Sequence, residues 1–407
     1  MNSRAPLALV ASIILTSLAP LIGCGSGNYW RTDTTPDSEA VASTPVDVTS
    51  SRGGEGFSDH QVGPLGLNID WSYHHPGRIQ QAFEANGNIY LVSSSKSNDH
   101  LLVKVSGESG LPQWTYPLQV PLDFAPSVYV YPEEIRGENP DELFIVERGM
   151  IHCIDDLYGA RNYRIRCNFP ISTSVAPGID YLVVGGFDMR IYGVSKKDRF
   201  VKWTYLTSGG ITATPTNVGG RSFVSSEDGS IYCVRQGGGY TKGDSWTFKT
   251  LSSIETSPTV SADRIYIGSR DTKLYCLTDV GDESYLNWQA SLGLPVLSSP
   301  VLAGNSVYAT LRDDRISDAP QQVLACLDIA DGSEKWRQDG FSRVVCATRD
   351  EVWAAGASGS LNSLDAEDGS PRWTLDCSGA VGMLTLSTTV VAVVNGTGLV
   401  QCISKQR

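Results

Sequence analysis

The stretch that decides the fold is "DAEDGSPRW", residues 365–373, which repeats in altered form as "DIADGSEKW" at 328–336. Each builds an Asp-rich turn around a glycine and places a tryptophan four residues after it. The pairing continues along the chain: Gly110 precedes Trp114, and Gly159 precedes Tyr163, where tyrosine fills the slot. Trp203, Trp246 and Trp288 keep the aromatic without the glycine. The series 114, 163, 203, 246, 288, 336, 373 advances by 49, 40, 43, 42, 48 and 37 residues, a period in the range of repeat architectures.

Two short apolar runs stand ahead of each aromatic, such as "RIYIG" and "KLYCL" or "SVYAT" and "VLACL". Their β-branched and aromatic content and bounding turn residues predict antiparallel hairpins. Pro126, Pro215, Pro258 and Pro300 mark an earlier point in their repeats, where proline suits the start of an innermost strand. Four short strands per repeat predict an all-β, eight-bladed β-propeller of four-stranded antiparallel blades. In that reading Asp before Gly turns the third strand into the fourth, and Trp114, Tyr163, Trp203, Trp246, Trp288, Trp336 and Trp373 are docking pegs between blades. A buried ring of this size removes roughly 150–250 Å² from water.

The ends set the blade count. After Trp373 one further set of strands, "VGMLTLSTTVVAVVNGTGLVQCIS", has no aromatic to close it, while Trp71 in "LNIDWSYHH" has no strands before it. The expectation is that the N-terminal strand around Trp71 completes the eighth blade. The span from 65 to 404 divided by eight is about 42 residues, matching the observed steps.

The repeat resembles the quinoprotein alcohol dehydrogenase-like propellers, whose docking motif runs Ala-x-Asp-x-x-Thr-Gly-x-x-x-Trp. Ser363, Asp365, Asp368, Gly369 and Trp373 fill those places, as do Cys326, Asp328, Asp331, Gly332 and Trp336. The motif specifies the fold and is silent on activity.

At the N-terminus Arg4 precedes the apolar stretch "APLALVASIILTSLAP", which runs into "LIGC" at 21–24. It is short for a membrane span and matches a bacterial lipobox. Residues 1–23 are therefore expected to be a lipoprotein signal peptide, with acylation (palmitate among the chains) at Cys24 as the membrane anchor. By analogy with enteric bacteria, Gly25 after the cysteine permits outer-membrane sorting. Residues 24–64, rich in Ser, Thr, Pro, Asp and Gly, are expected to be a flexible tether, and residues 65–407 the propeller.

With 32 basic and 44 acidic residues the formal net charge is −12, which lacks the basic footprint of a nucleic-acid binder. Acidic "PEEIRGENPDE" (132–142) and "RDDRISDAPQQ" (312–322) read as insertions between first and second, and second and third, strands, and so belong on opposite faces.

Five cysteines, Cys153, Cys233, Cys276, Cys326 and Cys402, share one third-strand slot. Equivalent positions in different blades are too far apart to pair, so they read as small buried residues. Connectivity among Cys167, Cys346 and Cys377 stays open.

A PQQ-dependent dehydrogenase is one reading, but enzymes of that kind carry a disulfide between adjacent cysteines and a calcium ion, and no Cys-Cys pair occurs here. Asp188, Asp228 and Asp271 fall in hairpin turns, the five histidines show no zinc-type spacing, and no nucleophile elbow or P-loop occurs. No catalytic, metal or cofactor residue is assigned, and no cofactor is expected. Leader, tether and propeller together resemble the lipoprotein subunit of the outer-membrane β-barrel assembly machinery. That resemblance implies a non-catalytic, lipid-anchored scaffold of the bacterial cell envelope, on the periplasmic side of the outer membrane, with an envelope protein such as a β-barrel assembly protein as partner. A propeller that binds carbohydrate or another ligand is the third reading.

Overall fold

The computed structural model describes residues 47–48, 56–94, 99–136, 140–237, 245–313 and 321–406. The expected signal peptide, Cys24 and most of the expected tether lie outside the described residues.

Eight sheets, each with four antiparallel strands and one extended by a short fifth strand, are arranged as the blades of a propeller. Blade 1 runs Arg78–Ala85, Asn88–Ser94, His100–Val105 and Pro112–Leu118. Blade 2 runs Ser127–Tyr129, Glu142–Glu147, Met150–Asp155 and Arg161–Arg166, and blade 3 Ala176–Pro177, Tyr181–Gly186, Arg190–Ser195 and Val201–Leu206. Blades 4, 5 and 6 occupy 216–249, 259–291 and 301–339; blade 7 runs Phe341–Ala347, Glu351–Gly356, Ser360–Asp365 and Pro371–Asp376. Pro126, Pro215, Pro258 and Pro300 immediately precede innermost strands. Blade 8 takes three strands from the C-terminus, 380–405, and its fourth, Leu67–His74, from the N-terminus, with Trp71 opposite Cys402.

Several innermost strands are tied to the adjacent blade by side chains that donate to backbone carbonyls. Ser127 Oγ donates to Val175 O at 2.5 Å, Thr216 Oγ1 to Pro258 O at 2.6 Å and Thr259 Oγ1 to Pro300 O at 2.6 Å. Carbonyls left over where short inner strands end would otherwise be buried without partners.

The apolar cores lie between blades. One cluster joins Tyr308, Leu324, Cys326 and Trp336 of blade 6 to Val344, Val352, Ala354 and Leu364 of blade 7. The opening motif explains how such a seam is built. Gly369 has φ +75° at the tip of blade 7, and a Cβ there would stand 2.7 Å from the Trp336 ring of blade 6. The glycine is thus required twice, by the left-handed turn and by the previous blade's indole lying flat on it. Trp336 Nε1 then donates to Ala366 O, three residues before that glycine, at 3.0 Å. Trp288 over Gly332, Trp114 over Gly159 and Trp71 over Gly110 repeat the contact, with indole N–H bonds to Ile329, Asp156 and Gly107 carbonyls. Gly and Trp share a repeat in sequence, but each meets the partner residue of an adjacent blade.

A register shift sits just before Trp71, Trp114, Tyr163, Trp203, Trp288, Trp336 and Trp373 in the fourth strand. Such a bulge re-aims the next side chain, here the ring toward the next blade. The residue across the ladder from the aromatic is Cys153, Cys233, Cys276, Cys326 or Cys402 in five blades, whereas Lys104 takes that place opposite Trp114 in blade 1.

Blade 8 has no hairpin between its third and fourth strands, so no tip glycine awaits Trp373. Residues at and just upstream of the expected propeller start at 65 fill that place: Val62 and Leu65 pack in one cluster with Trp373, Trp353 and Ile403. The Gln401 side chain clasps the same segment, accepting from Phe57 N at 2.6 Å and donating to Phe57 O at 3.0 Å. Asp47–Val48 pairs in parallel with Thr374–Leu375 on the outer edge of blade 7.

Candidate functional site

The acidic residues singled out in hairpin turns serve the fold. Asp228 accepts from Tyr232 Oη at 2.6 Å and Ser208 N at 2.9 Å through one oxygen and from Ser230 N at 2.7 Å through the other, pinning its hairpin to the exit of blade 3. Burial opposes ionisation of this carboxyl, but those hydrogen bonds outweigh it and hold it below the usual range. Asp271 repeats the arrangement with Tyr275 and Leu251 N. Asp188 takes a hydrogen bond from Tyr192 at 2.5 Å and an ion pair from Arg190 at 3.3 Å.

The eight cysteines among the described residues are all free thiols. Burial is the leading cause that pushes Cys153, Cys233, Cys377 and Cys402 up to about 12, so they stay protonated and unreactive at neutral pH. Among the described residues no three His, Cys, Asp or Glu side chains converge as a metal site.

The seam between blades 2 and 3 departs furthest from the tryptophan-on-glycine arrangement of four other seams, and it carries the candidate site. Between blades 2 and 3 the peg is Tyr163, and the tip residue under it is Arg199, held at φ +62° where the regular blades have glycine. The Arg199 guanidinium lies 4.8 Å from the Tyr163 ring centroid, a cation–π contact in place of an indole on a bare backbone. The residue three before Arg199 is Lys196, whose ammonium is buried among Tyr129 (4.4 Å to the ring centroid), Tyr131 (5.0 Å) and Phe144 (5.7 Å). It pairs there with Glu142, which also accepts from Tyr131 Oη at 3.0 Å.

Beyond the Tyr163 peg the seam is open. A groove of about 370 Å³ runs between blades, lined by Ile165 and Phe169 from blade 2 and its exit and by Tyr192, Val194, Phe200 and Val201 from blade 3, with Arg166 and Asn168 alongside. Phe169 stacks on Tyr192 with centroids 3.8 Å apart and planes 14° from parallel. Burial first, then the Asp188 hydrogen bond, pushes the Tyr192 phenol up to about 12, so it is neutral in the groove. Phe200 is 52 % exposed, and Leu157 and Tyr158 at the blade 2 tip are 61 % and 72 % exposed.

Charge is concentrated at the same place. Residues 161–202 hold eight Lys and Arg against three Asp in a chain of net charge −12. Arg161, Arg164 and Arg166 stand exposed along the outer strand of blade 2, without an ion pair among the described residues. The sequence reading identified Tyr163 as a peg and missed the groove. The signals were present: tyrosine for tryptophan in "GARNY", no glycine in "SKKDRF", and three arginines in "RNYRIR".

Two stretches of the chain, 240–340 and 320–406, match the family described as outer membrane protein assembly factor BamB. Together they cover the end of blade 4 through the three C-terminal strands of blade 8. No curated protein matches the chain in sequence. Among solved structures, BamB from Moraxella catarrhalis is similar over 83 % of this chain and 99 % of its own, with TM-score 0.62 and 14 % identity. The computationally designed protein Ika8 covers 81 % and 97 %, with TM-score 0.58 and 12 % identity. Quinohemoprotein alcohol dehydrogenase from Comamonas testosteroni covers 84 % and 77 %, with TM-score 0.62 and 12 % identity. At these identities the structural likeness establishes the eight-bladed architecture, shared by assembly factors, enzymes and a designed protein.

Proposed function

We propose that the chain is a non-catalytic, lipid-anchored propeller of the bacterial cell envelope, tethered through Cys24 at the outer membrane facing the periplasm. There it serves as a protein-binding scaffold in outer-membrane protein assembly. The observation that carries this reading is the match of blades 5 to 8 to the BamB assembly-factor family. The use of Asp188, Asp228 and Asp271 as hairpin pins agrees with it. The structural neighbour with quinohemoprotein chemistry makes PQQ the cofactor to test against the residues present, and they do not fit it. The chain lacks the adjacent cysteine pair of such enzymes, and no carboxylate cluster suited to a cation occurs among the described residues.

Purification of the full-length protein from detergent-solubilised membranes tests the proposal. Recovery of a barrel-assembly protein in the eluate, and an intact mass showing acylated Cys24, are the expected results. Dye-linked alcohol oxidation on addition of PQQ and calcium, without a protein partner, would overturn it.

A further inference from the structure

We infer that the groove between blades 2 and 3 is a docking surface for an extended, acidic protein segment that carries aromatic or branched apolar side chains; this rests on the scaffold reading above and specifies the partner's chemistry. Three independent features converge there. The groove is apolar and concave, with the Phe169–Tyr192 stack and the half-exposed Phe200 ready to receive a side chain. Buried aromatic contacts of this kind dominate protein-binding surfaces.

The second feature is charge. Arg166 borders the groove at the end of the outer strand, Arg161 and Arg164, opposite Ile154 and His152, project from the other face of that strand toward blade 1, and Arg199 and Lys202 stand on the side of blade 3. Lys202 is satisfied by Asp198 at 2.8 Å, and Arg199 by the Tyr163 ring. The three arginines of the outer strand have no acidic partner among the described residues, in a protein with an excess of acidic residues. Their complement is a row of carboxylates, which guanidinium groups bind in bidentate fashion.

The third feature is the edge itself. Arg161–Arg166 is the outermost strand of its sheet, so an extended segment can align along it, its apolar side chains entering the groove on one face and its carboxylates meeting Arg161 and Arg164 on the other. An anionic membrane would also be drawn to basic and apolar residues. It is flat, however, and would leave a 370 Å³ cleft unfilled, whereas a chain fills it.

The test uses the full-length protein in detergent and a fluorescein-labelled peptide of about eight residues that alternates Glu with Phe and Val, a pattern placing charges and apolar groups on opposite faces of a strand. The peptide binds, its Lys-for-Glu counterpart does not, and binding weakens with added salt. The triple variant Arg161→Glu, Arg164→Glu, Arg166→Glu and, separately, Phe200→Ser each weaken binding roughly tenfold or more. Both leave the melting temperature in place, because these side chains are exposed. Equal binding by wild type and triple variant overturns the inference. So does wild-type binding to phosphatidylglycerol vesicles that the triple variant loses, with no peptide binding. If the triple variant still recovers the barrel-assembly protein from membranes, the scaffold reading stands and this groove is not its docking site.

Discussion

Trp336 lies on Gly369 between blades 6 and 7, and Tyr163 lies on Arg199 between blades 2 and 3. The two seams perform the same structural task with different chemistry. The first is sealed by an indole flat on a backbone with no side chain, its N–H donated to Ala366 O. The second is bridged by a phenol on a guanidinium and by a caged lysine–glutamate pair, and it leaves a groove. On the docking inference above, this one seam is open for binding while the others hold the ring. The largest expected effect tests this directly. Trp336→Ala should destabilise the protein by about 3–5 kcal/mol, the range for a fully buried large aromatic. Tyr163→Ala should cost about 1–2 kcal/mol less, because its ring is already half-buried and removes less area from water. Equal losses in denaturant melts would show that the seam between blades 2 and 3 is as tightly sealed as the other, and the comparison would fail.

A middle-sized effect would sharpen the comparison by converting one seam into the other. Arg199→Gly alone should be nearly neutral: it relieves a left-handed backbone, worth about 1–2 kcal/mol, and forfeits a cation–π contact of similar size. Tyr163→Trp alone places an indole over an arginine that occupies its seat. Together the two changes rebuild the regular arrangement, so the double variant should be more stable than the single changes predict by about 0.5–3 kcal/mol. Strict additivity would mean that residues 163 and 199 are not partners in the way described.

The same contrast marks what could be read in advance. Blades 6 and 7 announce themselves because turn, glycine and tryptophan each answer a local steric demand that few residues meet. The closure by Trp71 was legible for the same reason, since a lone docking aromatic and a lone set of strands complete one another. Three other features were not. The glycine's contact with the preceding blade's ring, the bulge that aims each tryptophan, and the insertion of Phe57, Val62 and Leu65 at the closing seam all depend on neighbours about forty residues or more than three hundred residues away in sequence. The groove was missed because a smaller peg and an absent glycine read as decay of a repeat, when in space they are one feature.

The smallest expected effect concerns two cysteines that occupy the same slot, four residues after the peg, in blades 2 and 7. Cys167 at the open seam is half-buried, and burial pushes its thiol up to about 11. Cys377, at the seam filled by the N-terminal segment, is only 4 % exposed, and burial pushes it up to about 12. Both raised values favour the protonated thiol, and only the thiolate is alkylated. Native labelling with iodoacetamide, followed residue by residue in mass spectra, should therefore be slow for both near neutral pH. It should rise roughly tenfold per pH unit for Cys167 from about pH 8 to about pH 10, below its titration midpoint. Cys377 should lag at every pH, since access as well as ionisation holds it back. Occupancy of the groove beside Cys167 should slow its labelling further and leave Cys377 unchanged. If Cys377 reacted as fast as Cys167, the closing seam would be opening on the timescale of the reaction, and the seam between blades 2 and 3 could no longer be singled out as the open one.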